Sequence, residues 1–375
     1  MSQLHPARDG SVLKVNHQEI SFSLWPTVRE TRRFKLQPRI FTSDPWALMA
    51  EGIADICPKK SKEAAHAFRA QAEDFYDAAI AMGSRNLGAK PLLLYYAFLN
   101  LSKAYLLTWG YSNPNDRPQH GISEKARVRQ VEGTRLSAFP SAPRKPQLFD
   151  QLLKALTGHG ITTRKSYRLG YLMPQILFGH RVWCSASHER ERFLSISAID
   201  YIDNRDTQEL WTRIHINKDE MSKLGLSQDE SIKRALMNKD WAFVKDPCND
   251  HAICVEGKES LHYSDRPSDA LMNATNTIRP YLWTSVLLHP PYRKYYLYMA
   301  PPEERASVLP QLLSMYMVIF LLGSITRYQP HQFDRLLDTK YGAHLIGALT
   351  EIPTQYIYLM ASELLKREVT RASLA

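Results

Sequence analysis

A chain of 375 residues with 44% apolar and 23% charged residues is long enough for two or three globular domains, and this composition excludes a mainly disordered protein. The net charge of +10 favours an acidic partner, such as nucleic acid, a nucleotide or an anionic membrane surface, with solubility alone as the plainer explanation. The four cysteines indicate no disulfide framework, and the apolar run Leu312–Leu322 is too short to span a bilayer, so we expect a cytoplasmic protein without a membrane segment.

The first part of the chain is predicted to be helical after a short arm. Residues 1–40 mix charges with β-branched residues and predict an arm with a short strand. The sequence "TSDPW" is typical of a helix start, with Asp44 as the capping residue. Apolar residues at three- and four-residue spacing predict an amphipathic helix over 61–82, and nearly continuous apolar residues predict a buried central helix over 90–109.

The pattern changes in the middle of the chain. Between Gly170 and Ser264, short segments rich in β-branched and aromatic residues predict strands: "RVWCSAS", "RFLSISAIDYI", "LWTRIHI", "WAFVKD" and "HAICVEG". After this region, the apolar-periodic segments "PSDALMNATNTIRPYLWTSVLL" and "PEERASVLPQLLSMYMVIFLLGSITRY" predict helices again.

These patterns predict a mainly α protein, a helical bundle with a β-rich α+β insertion. The predicted parts are an N-terminal arm or strand (1–40), a first helical part (41–164), the β-rich insertion (165–262) and a second helical part that packs on the first (263–375). We see no internal repeat in the sequence.

Three sequence blocks carry a resemblance to a known family. "KPLLLYYAFLNLSKAYLLTWG", then "HGIS" after a loop, then "MYMVIFLLGSITRYQPHQFDRLL" resemble the bacterial YaaC-like family in their order and spacing. The resemblance covers most of the chain. It implies a fold and a cytoplasmic bacterial origin more than a particular chemistry.

A second resemblance concerns the central helix. The segment "YYAFLNLSKAYLL" followed by His120 is similar to HEPN domains, helical bundles of which many are metal-independent RNases in toxin or antiviral systems. That resemblance implies a HEPN-like bundle with a paired arginine and histidine. This chain departs from the pattern, because three residues separate Arg327 from His331 and two separate Arg117 from His120, a closer spacing than in those RNases.

The segment "RYQPHQF" holds the first candidate site. Arg327 can hold a phosphate with parallel N–H bonds, and His331 can transfer the proton of a ribose 2′-hydroxyl, which are the two tasks of metal-independent RNA cleavage. Pro330 disfavours helix at the residue before it, so we expect Arg327 in the last turn of a helix. The alternative is an arginine that caps the helix and packs on Tyr328. Arg335 follows on the same segment.

The loop "NDRPQHGIS" holds the second candidate, with Arg117 and His120. A histidine in a polar loop after a buried helix can face a cleft, although the His-Gly pair is also typical of a simple turn. Lys103, on the otherwise apolar central helix, either faces the same cleft or extends to the edge of the bundle.

The remaining polar clusters give weaker signals. "CNDHAIC" brings Cys248, His251 and Cys254 together, but the spacing is not a usual zinc signature, so we predict no metal site and interpret the cysteines as small apolar residues of a hairpin. Basic segments with aromatic residues suit single-stranded RNA, and solvated surface is their plainer interpretation. Their candidate phosphate-binding residues are Arg127, Arg129, Arg164 and Arg168.

Several functions remain open at this stage. The first is a protein that binds or acts on RNA or a nucleotide, as a metal-independent endoribonuclease of a bacterial defence or toxin system. In that hypothesis His120 or His331 transfers the proton, Arg117 or Arg327 holds the phosphate, and Lys103 supports it. The alternative is a non-catalytic regulatory or scaffold subunit that binds a nucleotide or a partner protein of the same operon, alone or as a homo-oligomer. No cofactor is predicted, since the chain lacks Walker, Rossmann and zinc-protease motifs.

Overall fold

The computed structural model describes residues 4–15, 17–26, 39–83, 87–127, 129–225, 234, 241–247, 249–264 and 267–372. The chain divides into two compact units. Unit one consists of Met1–Phe41, Arg190–Arg305 and Thr370–Ala375, and unit two consists of Thr42–Glu189 and Ala306–Val369.

The described α-helices are α1 (Pro45–Ile56), α2 (Lys59–Ala81), α3 (Lys90–Thr108), α4 (Leu148–Thr157), α5 (Leu169–Leu172), α6 (His180–Ser187), α7 (Lys218–Lys223), α8 (Ser268–Ile278), α9 (Gln311–Tyr328), α10 (Pro330–Leu337) and α11 (Gly342–Leu365). The described strands are β1 (Ser11–Val12), β2 (Lys14–Val15), β3 (Gln18–Glu19), β4 (Arg39–Thr42), β5 (Ile122–Lys125), β6 (Arg135–Ala138), β7 (Lys165–Arg168), β8 (Phe193–Ser195), β9 (Ala198–Asn204), β10 (Glu209–Asn217), β11 (Trp241–Lys245), β12 (Ala252–Gly257), β13 (Leu261–His262), β14 (Leu282–Val286), β15 (Arg293–Tyr298) and β16 (Glu368–Arg371).

An antiparallel sheet forms the centre of unit one. Its strands lie in the order β1-β9-β10-β12-β11, and β13 also pairs with β10. Side chains alternate between the two faces of a strand. On β10, Ile214 and Ile216 therefore enter the hydrophobic core, while Arg213 and His215 lie on the opposite face. Helix α8 and a second sheet, in the order β14-β15-β8, complete this core.

The N-terminal segment crosses the polar face of this sheet. The carbonyl of His5 accepts a hydrogen bond from the Lys245 amide on β11, and Ser11 pairs on β9 at the other side. Between these points, the Arg8 guanidinium lies 4.2 Å from the Trp211 ring centroid and donates to the Gly257 carbonyl. The predicted arm thus includes a short paired strand, and its residues 27–38 lie outside the described part of the chain.

Unit two is built around three long helices, α3, α9 and α11. The α3 helix is buried on nearly all sides, as the sequence predicts, and the Phe98 ring stacks on that of Tyr356 with centroids 3.6 Å apart. Gly323 on α9 allows close approach to α3, because a Cβ added there would lie 3.0 Å from the Tyr95 Cβ and 3.1 Å from the Pro91 carbonyl oxygen. Asp44 caps α1 by accepting from the amides of Trp46 and Ala47, also as predicted.

The α9 helix resembles a membrane-spanning helix in length and composition but not in its surroundings. It is long and apolar enough to cross a bilayer, with a mean hydropathy of 1.2, but 78% of it is buried inside the protein. The core helix of a soluble protein has the same length and composition, and the burial of α9 matches that case.

The prediction of a mainly α, HEPN-like helical bundle is wrong, because sheets occur in both units and the fold is a mixed α+β fold. Unit two contains a three-stranded antiparallel sheet in the order β5-β6-β7, and its strands β5 and β6 lie in the part predicted to be helical (41–164). The segment after Ile278 also leaves the helix: Arg279–Tyr281 form a short 3-10 turn at Pro280, and β14 follows. Conversely, "RVWCSAS" forms most of helix α6 rather than a strand.

Candidate phosphate-binding site

The junction of α3 and α9 in unit two positions the central residues of the site. Tyr95 and Tyr96 lie on α3, and Arg327 lies in the last turn of α9, where the sequence predicts it. The Tyr95 ring is buried between aromatic neighbours, 5.4 Å from the Phe320 centroid, while Arg327 is exposed. Closely packed aromatic side chains therefore form a rigid support beneath the exposed Arg327.

The loop after α3 brings His120 onto Tyr95. The Tyr95 hydroxyl and the His120 Nδ1 form a hydrogen bond, and the two ring centroids are 5.6 Å apart. Gly121 makes this approach possible, since its φ of +76° lies in the left-handed region and a Cβ would come within 2.9 Å of the Gln147 Cβ. The turn at Gly121 that the sequence predicts as one alternative is therefore present, and it holds His120 against Tyr95.

Two cations act on the imidazole of His120. Its pKa is lowered, first by partial burial of the ring and then by the positive charges of Lys103 and Arg327. His120 is therefore neutral at pH 7. Burial also raises the pKa of the Tyr95 phenol well above its usual value, so its hydroxyl keeps its proton.

Arg327 is held by aromatic groups rather than by a carboxylate. Its Nη1 donates to the Tyr96 hydroxyl at 2.9 Å, and its guanidinium carbon lies 5.0 Å from the centroid of the exposed Tyr328 ring. The Tyr96 ring in turn stacks on Phe75 at 5.3 Å. Arg327 therefore packs on Tyr328, as the sequence analysis expects if the arginine has only a structural role. The bond to Tyr96 also fixes the orientation of the guanidinium.

Lys103 lies on α3 two turns after Tyr95 and Tyr96. Its ammonium group lies 4.8 Å from the Phe68 ring centroid, and burial lowers its pKa. Lys103 lines a cavity of about 210 Å³ together with Arg117 and Asp116 of the loop. The lysine thus faces the part of the loop that precedes His120, and a cleft shared by Lys103 and His120 stays a prediction.

A family model for YaaC-like proteins matches residues 33–364 of the chain. The chain belongs to the YaaC-like family. No curated protein and no solved structure matches it. The three sequence blocks that carry the resemblance are the ones that supply Tyr95, His120 and Arg327.

In this YaaC-like chain, other candidate residues named from the sequence lie apart from the cluster formed by Lys103, His120 and Arg327. His331 and Arg335 lie on α10, after the break at Gln329, and within the described residues His331 makes none of the contacts above. Arg335 instead lines a cavity of about 360 Å³ with Arg129, Gln332 and Thr339. Arg127 is exposed after β5, and its amide donates to the Thr134 hydroxyl.

Arg168 ends strand β7 of the β5-β6-β7 sheet, and Arg164 directly precedes that strand. Lys125, Arg135 and Arg168 occupy directly opposite positions on the three strands, so they form one row of cations. All three are exposed. The Arg164 guanidinium donates to Ser137, which lies in the neighbouring row of the same face.

Sequence reasoning missed two features of this family member. It assigned no role to Tyr95 and Tyr96, although two adjacent tyrosines within the otherwise apolar helix α3 were the available signal. It also missed the row completed by Lys125 and Arg135, because cross-strand register is set by long-range pairing and no local pattern reveals it.

Of the CNDHAIC group, Cys248 lies outside the described residues and His251 is exposed in a turn. Cys254 is fully buried on β12 of unit one. Its cross-strand neighbours there are His215 on β10 and Val244 on β11.

Proposed function

We propose that Lys103, His120 and Arg327 bind a phosphate group of RNA or of a nucleotide. The proposal rests on the contacts of His120 with Tyr95 and of Arg327 with Tyr96 on α3, together with the effect of the Lys103 and Arg327 charges, which both lower the pKa of His120. Among the described residues, neither Lys103 nor Arg327 takes part in an ion pair. Lys103 is partly buried, so its unpaired charge is costly without an anionic ligand, whereas Arg327 is exposed and free to contact one.

The nearby carboxylates are occupied by other contacts. Asp116, on the wall of the cavity beside Lys103, accepts a hydrogen bond from the Asn113 amide within its own turn. Glu124 accepts from the Ser324 hydroxyl at 2.8 Å. The positive charges of Lys103 and Arg327 therefore remain available to a ligand.

Aromatic groups beside the cations suit a nucleobase. Tyr328 is 66% exposed and packs its ring against the Arg327 guanidinium. Stacking on an exposed tyrosine contributes about 1–3 kcal/mol per base and tolerates every base, because each base has a π face. A phosphate at Arg327 with a base on Tyr328 is the arrangement that the proposal implies.

The cationic row on the β5-β6-β7 sheet favours a polymer over a single nucleotide. Like charges directly opposite each other on a sheet destabilise it. Lys125, Arg135 and Arg168 keep this arrangement at the surface of the same unit. A phosphodiester backbone would neutralise the row, so we propose single-stranded RNA as the ligand class.

RNA cleavage is the second candidate function, and the neutral state of His120 favours it. A general base must be unprotonated, and Arg327 could hold the scissile phosphate. The two functions need opposite tautomers of His120. If Tyr95 donates to Nδ1, the N–H on Nε2 donates to a phosphate; if Nδ1 donates to Tyr95, Nε2 accepts a proton and can act as a base.

The test is an RNA-binding assay with the full-length protein at graded salt concentrations, without metal and then with magnesium. We expect salt-dependent binding that weakens at least tenfold in Arg327→Gln and Lys103→Gln but not in Lys154→Gln, an exposed lysine of α4 that carries the same charge change. Cleavage that is lost in His120→Ala while binding persists would establish the second function. Absence of both binding and cleavage would refute the proposal and leave a scaffold role.

A further inference from the structure

A second group of polar residues lies on the central sheet of unit one. Asp200, His215 and Cys254 come from the adjacent strands β9, β10 and β12, and Asp246 directly follows β11. His215 is directly opposite Cys254, whose other neighbour is Val244, two residues before Asp246. The alternation of side chains places all four on the face opposite the hydrophobic core.

The potential ligand atoms of three of these residues meet at one point. The His215 Nδ1 lies 2.6 Å from the Asp246 Oδ2, the Cys254 Sγ lies 3.2 Å from the same oxygen, and the Cys254 Sγ lies 3.4 Å from the Nδ1. A tetrahedral zinc ion with bonds of about 2.0–2.3 Å holds its ligands roughly 3.3–3.7 Å apart. The Asp246 carboxylate must therefore move away from both partners by a fraction of an ångström, further from the His215 nitrogen than from the Cys254 sulfur.

The fourth residue, Asp200, lies where a carboxylate typically contacts the second nitrogen of a metal-bound histidine. The Asp200 Oδ2 lies 3.0 Å from the His215 Nε2, on the side of the ring away from Asp246 and Cys254. Metal-ligating histidines usually present their second nitrogen to a carboxylate, which fixes the ring orientation. Two carboxylates and a thiol around one imidazole also form an anion-rich group that a divalent cation would neutralise.

Burial excludes a nucleophilic role for the thiol. Cys254 has no exposed surface, and the side chain of Asp246 is 2% exposed. A catalytic cysteine must reach its substrate, whereas a structural metal ligand need not.

We propose that His215, Asp246 and Cys254 bind a zinc ion that ties strands β10, β11 and β12 together, with Asp200 orienting the histidine. The mixed nitrogen, sulfur and oxygen donors suit zinc, and calcium or magnesium would avoid the sulfur. Binding displaces the thiol proton to solvent, and a water molecule takes the fourth position. This site is independent of the proposed RNA function, since its residues belong to unit one.

The sequence predicted no metal site, and the one segment considered for a metal was "CNDHAIC". "CNDHAIC" suggests neighbours along one loop, whereas the structure draws its ligands from separate strands and takes only Cys254 from that segment. Residues that strand pairing brings together have no characteristic spacing along the chain. The sequence therefore could not predict this metal site.

The test uses the full-length, tag-free protein purified without chelators. We expect about one zinc per chain by elemental analysis, and a thiolate-to-cobalt absorption band after replacement of zinc by cobalt. Cys254→Ser should abolish the band, whereas Cys184→Ser should retain it. Asp200→Asn keeps all three ligands and should weaken zinc affinity about 10- to 100-fold in a chelator competition.

His262→Asn, an exposed histidine of the same sheet, is the control for the competition assay and should leave the zinc affinity unchanged. Circular dichroism establishes that each variant is folded. Folded wild-type protein that contains no zinc and gives no cobalt band would overturn the proposal. An undiminished band in folded Cys254→Ser would do the same.

Discussion

Tyr95 and His120 are joined by a hydrogen bond that links the buried helix α3 to the exposed loop after it. The bond lies beside Arg327 and within the influence of Lys103. The direction in which its proton is donated decides what His120 can offer a ligand. While the ring is neutral, phosphate binding by His120 requires that Tyr95 be the donor, and general-base catalysis requires the reverse.

Tyr95→Phe tests this direction. A hydroxyl that donates to Nδ1 stabilises the neutral imidazole, so its loss should raise the pKa of His120 toward the ordinary value of about 6.5. A hydroxyl that accepts from Nδ1 stabilises the imidazolium, so its loss should lower the pKa further. NMR titration of the His120 ring protons, assigned with His120→Asn, measures the change. We expect an upward shift, and a downward shift would favour the base tautomer.

The pH dependence of RNA binding follows from the lowered pKa of His120. Above pH 6.5 the ring is neutral in the folded and unfolded chain. As pH falls below that value it gains a proton and a charge-assisted bond to phosphate, which adds about 1 kcal/mol, or roughly fivefold in affinity. Binding of an RNA without terminal phosphate, measured by fluorescence anisotropy between pH 7 and pH 5, should therefore strengthen. His120→Asn should remove this increase.

The same titration affects folding stability in the opposite sense. A histidine whose pKa is depressed by folding contributes stability above about pH 6.5 that is lost as pH falls toward the folded pKa. His120→Asn should therefore flatten the pH dependence of the unfolding free energy below about pH 6.5. A dependence equal to that of the wild type would show that other groups cause it.

Lys103→Met should separate function from stability. The substitution keeps the side chain against Phe68 but removes a partly buried charge that has no carboxylate partner among the described residues. We expect the free energy of unfolding to rise by about 1 kcal/mol while RNA affinity falls. Denaturant unfolding of the variant, with exposed Lys154→Met as the control, measures the difference. Destabilisation by Lys103→Met alone would indicate a structural lysine.

The close contact of α9 with α3 predicts opposite effects for two glycines. In Gly323→Ala the new methyl group meets Tyr95 and the Pro91 carbonyl, so we expect a loss of roughly 1–3 kcal/mol in unfolding free energy and weaker RNA binding. Gly347 lies in α11 with nothing within 4 Å of an added Cβ, so Gly347→Ala should gain about 0.5–1 kcal/mol. Equal effects of the two substitutions would contradict the packing described at α3.

Local sequence patterns predicted the central helix and two helix ends correctly. The capping role of Asp44, the burial of α3 and the position of Arg327 in a last turn all depend on contacts within a few residues. The YaaC-like family was likewise evident from long sequence blocks. The mixed α+β fold was not predicted, since strands such as β5 and β6 are short and their pairing with β7 is non-local.

Only part of the candidate site followed from the sequence. Lys103, His120 and Arg327 were each named, but they are far apart in the chain, and their convergence depends on how α9 packs on α3. His331 was chosen for its nearness to Arg327 along the chain, and the helix break at Gln329 gives it no contact with the cluster within the described residues. Spacing along one helix could not predict a site assembled from two helices and a loop.

The most direct test of the central claim is an NMR titration of His120 with uridine monophosphate and, separately, with uridine. We expect a saturable shift of the His120 ring signals with the nucleotide and little change with the nucleoside, since the claim is that the cluster holds phosphate. Arg327→Gln should abolish the shift, and Lys154→Gln should preserve it. No shift with the nucleotide, or an equal shift with the nucleoside, would contradict a phosphate site at Lys103, His120 and Arg327.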